Sequence, residues 1–510
     1  MKSLIFSSCS LEDPHMGILM EEAACLFAEG HDVTFAYSSG MTKYCLANPH
    51  GDSLCCAFCK NRAKVWTKKW LPSGVKLLPM KAEPIPVRKW EYHSVKDIKQ
   101  ITYRGVYIGY GVMSTYTSCT RDPDPVFNEI NRKYFDFALD HAAYLTDRFS
   151  QLIEDEKPDT ISFFTGRLIE NRPLFDLAKV HGIPIRINEV LGGPRAGEEF
   201  SRIIYHNHLP HDIPYNTELL QKVWSVENES VAEKERKGRD FFERRRKGVP
   251  AGDRVYITDQ KKGVLPEGWD PGKRNIVIFN SSEDEFSAVG LEFDQYAFFN
   301  SQMEGIKAIL EHYKDDTSYH FYVRVHPNLK RVRFPYHMNL YQLPEQYKNL
   351  TVIAAWDACS TYDLLDAAEK VIVFGSTMGA EAAYWKKPVI LLGGAFYYHL
   401  NICYTPKTLD ELWDLIPRQL EAKDPYPAIQ YGYYLLNRHL LSIPMKYVDY
   451  SVVNLKFGKY TFFSCRFRKL WGSCYLLKFV TCFIGILSRK WKKIRFSSPV
   501  FIDRIYNKEK

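Results

Sequence analysis

The stretch from Lys370 to Gly394 constrains this chain more than any other. Its β-branched run, Val371 to Phe374, has the composition of a strand buried on both faces. Gly375-Ser376-Thr377 follows, then a short apolar helix, Met378 to Trp385. Lys386-Lys387-Pro388 stops that helix, and Val389 to Leu392 begins another buried strand. This is a βαβ unit with a tight first turn. Such a turn sets backbone N–H groups and two hydroxyls at the positive end of a helix, a place that suits a phosphate. A helix cap by Ser376 or Thr377 is the other reading of the same residues.

The remainder of the chain continues the α/β pattern. Ser3 to Ser7 is a strand, followed by a polar loop with Asp13 and His15, a helix from Gly17 to Ala28 and a strand from Asp32 to Tyr37. That is a Rossmann-like opening, but it lacks the Gly-x-Gly-x-x-Gly of dinucleotide sites. Residues 60–125 are aromatic and basic and show no clear period. Val126 to Ile153 is a long amphipathic helix and Thr160 to Phe164 a buried strand. Arg172 to Val180 is helical, and Ile183 to Asn188 is a strand ending in Glu189. Open α/β sheets bind ligands at the carboxyl ends of their strands, so Arg167 and Glu189 are candidates for a cleft or, alternatively, for surface ion pairs. Glu218 to Lys247, with Arg244-Arg245-Arg246, reads as a solvated connector.

A second α/β domain follows. Its strands are Asn275 to Phe279, Tyr319 to Val325 and Thr351 to Ala354, and its helices include Phe293 to Tyr313 and Thr361 to Ala368, the latter capped by Ser360. Pro327 ends the second of these strands and leaves His326 at its carboxyl end. The expected boundaries are 1–217 for the first domain, 218–253 for the connector, 254–425 for the second domain, 426–445 for a closing helix and 446–510 for a tail.

The chain of 510 residues carries a net charge of +8. Eleven Lys and Arg residues and no acidic residue lie between Lys456 and Arg495, so the rest sums to 8 − 11 = −3. A near-neutral body argues against a nucleic-acid-binding face. Met1 to Phe6 is too short for a signal peptide, so the expected location is cytoplasmic. The tail's apolar run, Leu470 to Leu487, is interrupted by Lys478 and flanked by basic clusters. It fits an interfacial helix on an anionic membrane better than a single span, which needs about 20 apolar residues. Cys45, His50, Cys56 and Cys59 offer the residue types of a zinc site, with reduced thiols as the alternative.

Four segments in this order carry a resemblance: Asn280-Ser-Ser-Glu-Asp-Glu285, Arg324-Val-His-Pro-Asn328, Ser360-Thr-Tyr-Asp-Leu-Leu365 and Gly375-Ser-Thr-Met-Gly-Ala-Glu381. The chain resembles bacterial capsule polysaccharide biosynthesis proteins, glycosyltransferases of the GT-B fold, in which two Rossmann-like domains face a cleft. Its His-Pro and Ser-Thr elements are also similar to those of polysialyltransferases and Kdo transferases. The resemblance implies a nucleotide-sugar donor held by Ser281, Ser282, Arg324, His326, Ser376, Thr377, Gly379 and Glu381, with no further cofactor or metal. It implies an oligosaccharide or lipid-linked glycan acceptor on the first domain, near Arg167 and Arg172. His326 is the expected catalytic group, and Asp13, His15 and Glu189 are the candidates for general base. The acidic motif that polysialyltransferases use as a base is not evident, which leaves a CMP-, UDP- or GDP-sugar open as donor. A sugar-nucleotide epimerase and a non-catalytic scaffold are the rival readings. The enzyme is expected at the inner face of the plasma membrane, held there through residues 456–495.

Overall fold

The computed structural model describes residues 1–445 apart from 12–14, 49–50, 52, 193–200, 253–254 and 258, together with the two short pairs 456–457 and 460–461. The chain forms two compact units. Of the described residues, the first contains those within 1–120, 124–210 and 442–445, and the second those within 121–123 and 211–441.

The first unit is built on five parallel strands: β1 (Lys2–Ser7), β2 (Asp32–Ser39), β3 (Lys76–Lys81), β4 (Thr160–Phe164) and β5 (Ile185–Gly192). An antiparallel strand, β6 (Ser201–His206), pairs with β5, and Ile443–Pro444 pairs with β6. The order β3-β2-β1-β4-β5-β6 reverses direction at β1, as in doubly wound sheets. Ile5, Phe35, Phe163 and Ile187 are fully buried, the mark of strands covered on both faces. The strand β3 has no alternating pattern and contains Pro79. It lies at the sheet's edge, where a missing N–H costs nothing. The unassigned region before residue 125 also contains the helices Ser53–Trp70, Val95–Gln100 and Ile108–Thr120.

The second unit has five parallel strands: β7 (Arg274–Phe279), β8 (Tyr319–Arg324), β9 (Leu350–Ile353), β10 (Lys370–Val373) and β11 (Val389–Leu391). Their order, β9-β8-β7-β10-β11, reverses at β7. The expected helix from Phe293 to Tyr313 is instead two helices, Leu291–Asp294 and Gln302–His312. Ser301 accepts the Glu304 N–H at 3.1 Å and starts the second afresh.

The expected solvated connector is corrected. Residues 218–247 belong to the second unit as parts of the helices Ile213–Ser225 and Val231–Arg246. The latter buries Lys234, Gly238, Phe241, Phe242 and Arg245, a stripe at helical spacing made partly of charged residues. Lys234 is buried because its ammonium donates to the Trp224 and Val226 carbonyls at 2.6 and 2.7 Å, closing the preceding helix. Gly238 and Gly432 let this helix and Tyr426–Asn437 touch backbone to backbone. A Cβ on Gly238 would meet the Ile429 carbonyl oxygen at 2.2 Å.

Among the described residues, no helix is long and apolar enough to cross a membrane. The run Leu470 to Leu487 lies outside the described residues, as does the basic window 456–495 except for its two short strand pairs.

Candidate functional site

In the second unit, the segments that follow β7, β8 and β10 converge on a cavity of about 520 Å³. These are adjacent strands flanking the point where the strand order reverses. Ser281, Ser282, Arg324, His326, Ser376, Thr377 and Glu381 all line the cavity, whereas Gly379 does not. Arg245, Arg438 and the rings of Tyr256, Phe286 and Phe396 complete much of the wall.

His326 is anchored on both sides. Its N–H donates to Asn280 Oδ1 at 2.7 Å, and its Nδ1 accepts the Asn328 N–H at 3.2 Å. With Nδ1 acting as acceptor, the proton of the neutral ring sits on Nε2. Burial, reinforced by the Arg121, Arg324 and Arg245 charges, pushes the ring's pKa down to about 4. His326 therefore offers a neutral N–H donor at physiological pH. Arg324 is buried at the end of β8 and donates to the Ala354 and Asp357 carbonyls at 2.6 and 3.2 Å. Its buried Nε has no hydrogen-bond acceptor, and Asp357 is the nearby carboxylate that offsets part of its charge. Burial lowers its pKa as well.

The loop after β10 combines the two readings of its sequence. Ser376 Oγ accepts the Met378 N–H at 3.3 Å and serves as the local cap, while Thr377 makes no capping bond and lines the cavity. Gly379 is corrected from donor contact to packing residue. Its N–H donates to the Ser376 carbonyl at 3.0 Å, and a Cβ there would stand 2.3 Å from the Tyr397 hydroxyl. Glu381 is buried against Arg245, whose Nε donates at 3.0 Å, and against the Tyr362 hydroxyl. Its carboxylate is thus largely committed, and it balances a cation at the back of the site.

The loop after β7 divides its residues in the same way. Ser281 is tied to Gln302 by two bonds, 3.0 and 2.6 Å. Ser282 Oγ accepts from Arg121 at 2.6 Å and from Asn328 at 3.2 Å and donates to Asp284 at 3.1 Å, which exhausts a hydroxyl. Ser282 thus lines the cavity with its hydroxyl already committed to its own loop.

In the first unit His15, Arg167 and Glu189 lie about the carboxyl ends of the adjacent strands β4 and β5. His15 opens the helix His15–Ala28 with its ring stacked on Phe164, centroids 3.7 Å apart. Arg167 donates to Ser114 Oγ at 2.7 Å, and Glu189 is half-buried in β5 opposite Ile203. Asp13 lies outside the described residues. Arg172 is corrected from acceptor contact to structural residue: it is 2% exposed, and its Nε donates to both Asp176 oxygens at 2.9 and 3.0 Å. Cys59 packs on Cys9 with 3.8 Å between sulfurs; hydrogen bonding between neighbouring thiols, with burial, pushes the Cys9 and Cys59 thiols up, and burial raises that of Cys45 against the hydrogen bond from Cys9. Cys56 Sγ accepts from the Asn48 side chain at 3.2 Å. His50 lies outside the described residues, and among these no group of three or more His, Cys, Asp or Glu residues has metal-binding geometry.

Sequence reasoning missed Arg121, Arg245 and Arg438. Arg245 sits in a basic triplet that resembles a solvated face, and Arg121 lies in a stretch without a period.

The arrangement is that of an α/β unit with a cavity at its strand ends, in a chain of two such units, the pair from which GT-B folds are assembled. Residues 292–423, all in the second unit, match the family model of capsule polysaccharide biosynthesis proteins. No curated protein sequence matches the chain. Solved structures similar to it include two from Thermosulfurimonas dismutans KpsC. The beta Kdo 2,4 transferase is 16% identical, with 54% of this chain and 80% of that one covered at a TM-score of 0.33. The beta Kdo 2,7 transferase is 15% identical, with 56% and 80% covered at 0.30. The UDP-GlcNAc 2-epimerase of Methanocaldococcus jannaschii is 11% identical, with 86% and 99% covered at 0.24. Likenesses at these scores carry no inference about activity.

Proposed function

We propose that the protein is a glycosyltransferase that moves a sugar from a nucleotide-sugar donor to a glycan in the building of a surface or capsular polysaccharide. The observation that carries this reading is the cavity wall of the second unit. Arg324 is a buried cation satisfied only by carbonyls, and beside it stands a histidine held neutral with its proton on Nε2. Burying a guanidinium without a carboxylate is costly unless an anion completes it. The family match of residues 292–423 supports the same reading.

Glycosyl transfer breaks the bond between the sugar's anomeric carbon and a phosphate oxygen, so negative charge grows on the departing nucleotide. Donors already fixed in place stabilise that charge without reorganisation. In this cavity the Arg324 guanidinium, the His326 Nε2–H and the Thr377 hydroxyl take that part, and no further cofactor is required by the proposal. The acceptor hydroxyl loses its proton to a base that we place among Asp13, His15 and Glu189 of the first unit, with Arg167 on the acceptor side.

The test is calorimetric or thermal-shift titration of the full chain with CMP, UDP and GDP and their sugar forms. A ligand that binds only the folded state raises its stability by mass action. Selective binding of one nucleotide class, weakened at least tenfold in His326→Ala, is the expected result. A folded protein that binds none of them overturns the proposal. We further propose that residues 456–495 hold the enzyme to the cytoplasmic face of an anionic membrane, where a lipid-linked acceptor would reside. Co-sedimentation with vesicles containing anionic lipid, lost on deletion of residues 446–510, checks this part.

A further inference from the structure

Arg121 lies in a three-residue segment, 121–123, that belongs to the second unit although the residues on either side of it belong to the first. Its backbone is left-handed, with φ of +64°, a region that L-residues seldom enter. The backbone carbonyl accepts from His337 Nε2 at 2.8 Å, which anchors the segment. The guanidinium then grips two loops at once. Its Nε and Nη2 donate to the Asp284 carboxylate at 2.8 and 3.3 Å, and Nη2 also reaches Ser282 Oγ at 2.6 Å. On the other side, Nη1 donates to the Asn328 carbonyl at 3.0 Å.

Asn328 is the residue whose N–H occupies His326 Nδ1, and its side chain donates to Ser282 Oγ at 3.2 Å. One planar, five-donor group therefore sets the spacing between the segment after β7 and the segment after β8, a task a point charge on a flexible stem does poorly. We propose that Arg121 is a positioning residue of the cavity: by locking Asn328 to the Ser282–Asp284 turn, it determines which nitrogen of His326 bears the proton presented to a ligand phosphate. The reference to phosphate rests on the function proposed above; the control of the ring does not.

A second consequence is electrostatic. The charged groups that act on the His326 ring are Arg121, Asp284 from the loop after β7, Arg324 from β8 and Arg245 from the helix Val231–Arg246. Three of the four are cations, and Arg121 contributes more than either of the other two. Removing it lets the ring accept a proton at higher pH.

The test uses the full chain labelled with 15N-histidine, the His326 resonances being assigned by their loss in His326→Ala. Nitrogen shifts report the tautomer and the titration directly, without activity. In the unaltered protein the Nε2–H tautomer is expected from pH 5.5 to 8. Arg121→Ala is expected to mix the tautomers, to move the titration into the range above pH 5, and to weaken nucleotide binding at least tenfold. Arg121→Lys keeps a charge but not the fork, so it is expected to mix the tautomers with a smaller titration shift. Should Arg121→Ala fail to fold, Arg121→Lys and Asp284→Asn carry the test. An unchanged tautomer and titration in the folded variants overturns the proposal, even if stability falls. If the ring responds to Arg121 but no nucleotide binds the unaltered protein, the functional reading fails and the positioning role stands.

Discussion

The two sheets share one strand order about their central strands, and both units bury ion pairs, yet Glu22 in the first and Arg324 in the second hold buried charge differently. In the first unit, Glu22 on the helix His15–Ala28 is fully buried and accepts from Arg186 at 2.6 Å, Arg202 at 2.8 Å and Ser162 at 3.0 Å. Arg172 and Asp176 neutralise each other in the same way. In the second unit, Arg324 reaches only carbonyl oxygens and borders a cavity. The contrast teaches that strand order locates where a ligand binds, whereas a buried charge bonded only to carbonyls indicates what it binds.

The sharpest break of this comparison is Glu22→Ala. It strands the buried Arg202 and removes the partner of the half-buried Arg186, and should cost about 3–5 kcal/mol in denaturant unfolding, as when one partner of a buried pair is removed. Nucleotide affinity of the molecules that remain folded should not change.

Arg324→Met is the converse experiment. Replacing a buried cation that is bonded only to carbonyls by an apolar chain should leave the stability of the ligand-free protein within about 1 kcal/mol of the unaltered one. Nucleotide binding should fall by about 2–3 kcal/mol, the worth of a charge-assisted bond to phosphate. A large loss of stability with intact binding would place Arg324 with the structural pairs of the first unit.

Acid titration comes next. The folded protein holds His326 neutral down to about pH 4, whereas the unfolded chain takes up that proton near pH 6.5. Stability should therefore fall as pH drops from about 6.5 towards 4, by roughly 1–3 kcal/mol from this ring. His141, whose pKa burial lowers to about 3, adds to the same slope from the first unit. His326→Asn should remove only the His326 part, and a bound nucleotide should reduce it, because a nearby phosphate favours the protonated ring.

The smallest effect is expected at the helix Thr361–Ala367. Ser360 Oγ accepts the Asp363 N–H at 3.2 Å, so Ser360→Ala should cost about 1 kcal/mol. Nucleotide affinity should fall by no more than about twofold, since Thr361 and Tyr362 of this helix line the cavity but keep their other contacts.

Much of the site is legible in the sequence because it sits where local patterns end. The runs before Asn280, before His326-Pro327 and before Gly375 are strands, and residues at strand ends face the ligand side of such sheets. What escaped was everything joined across long separations. Arg121 meets Asp284 163 residues further along, and Arg245 meets Glu381 across 136. Neither cation differs in its local surroundings from an exposed one, and the mixed charges around Arg245 conceal a buried stripe.

The sequence by itself determined the two α/β units, most strand and helix positions, the Ser360 cap and the three loops that build the cavity. These follow from side-chain period, proline and capping chemistry, which act within a few residues. Only the tertiary structure decided that β3 and β6 extend the first sheet and that the charged connector is a packed pair of helices. It also decided which hydroxyls are consumed by their own loops and which cations meet a carboxylate. Those outcomes depend on partners brought close by packing, and a group's protonation and bonding are set by that enclosed surrounding, not by its neighbours along the chain.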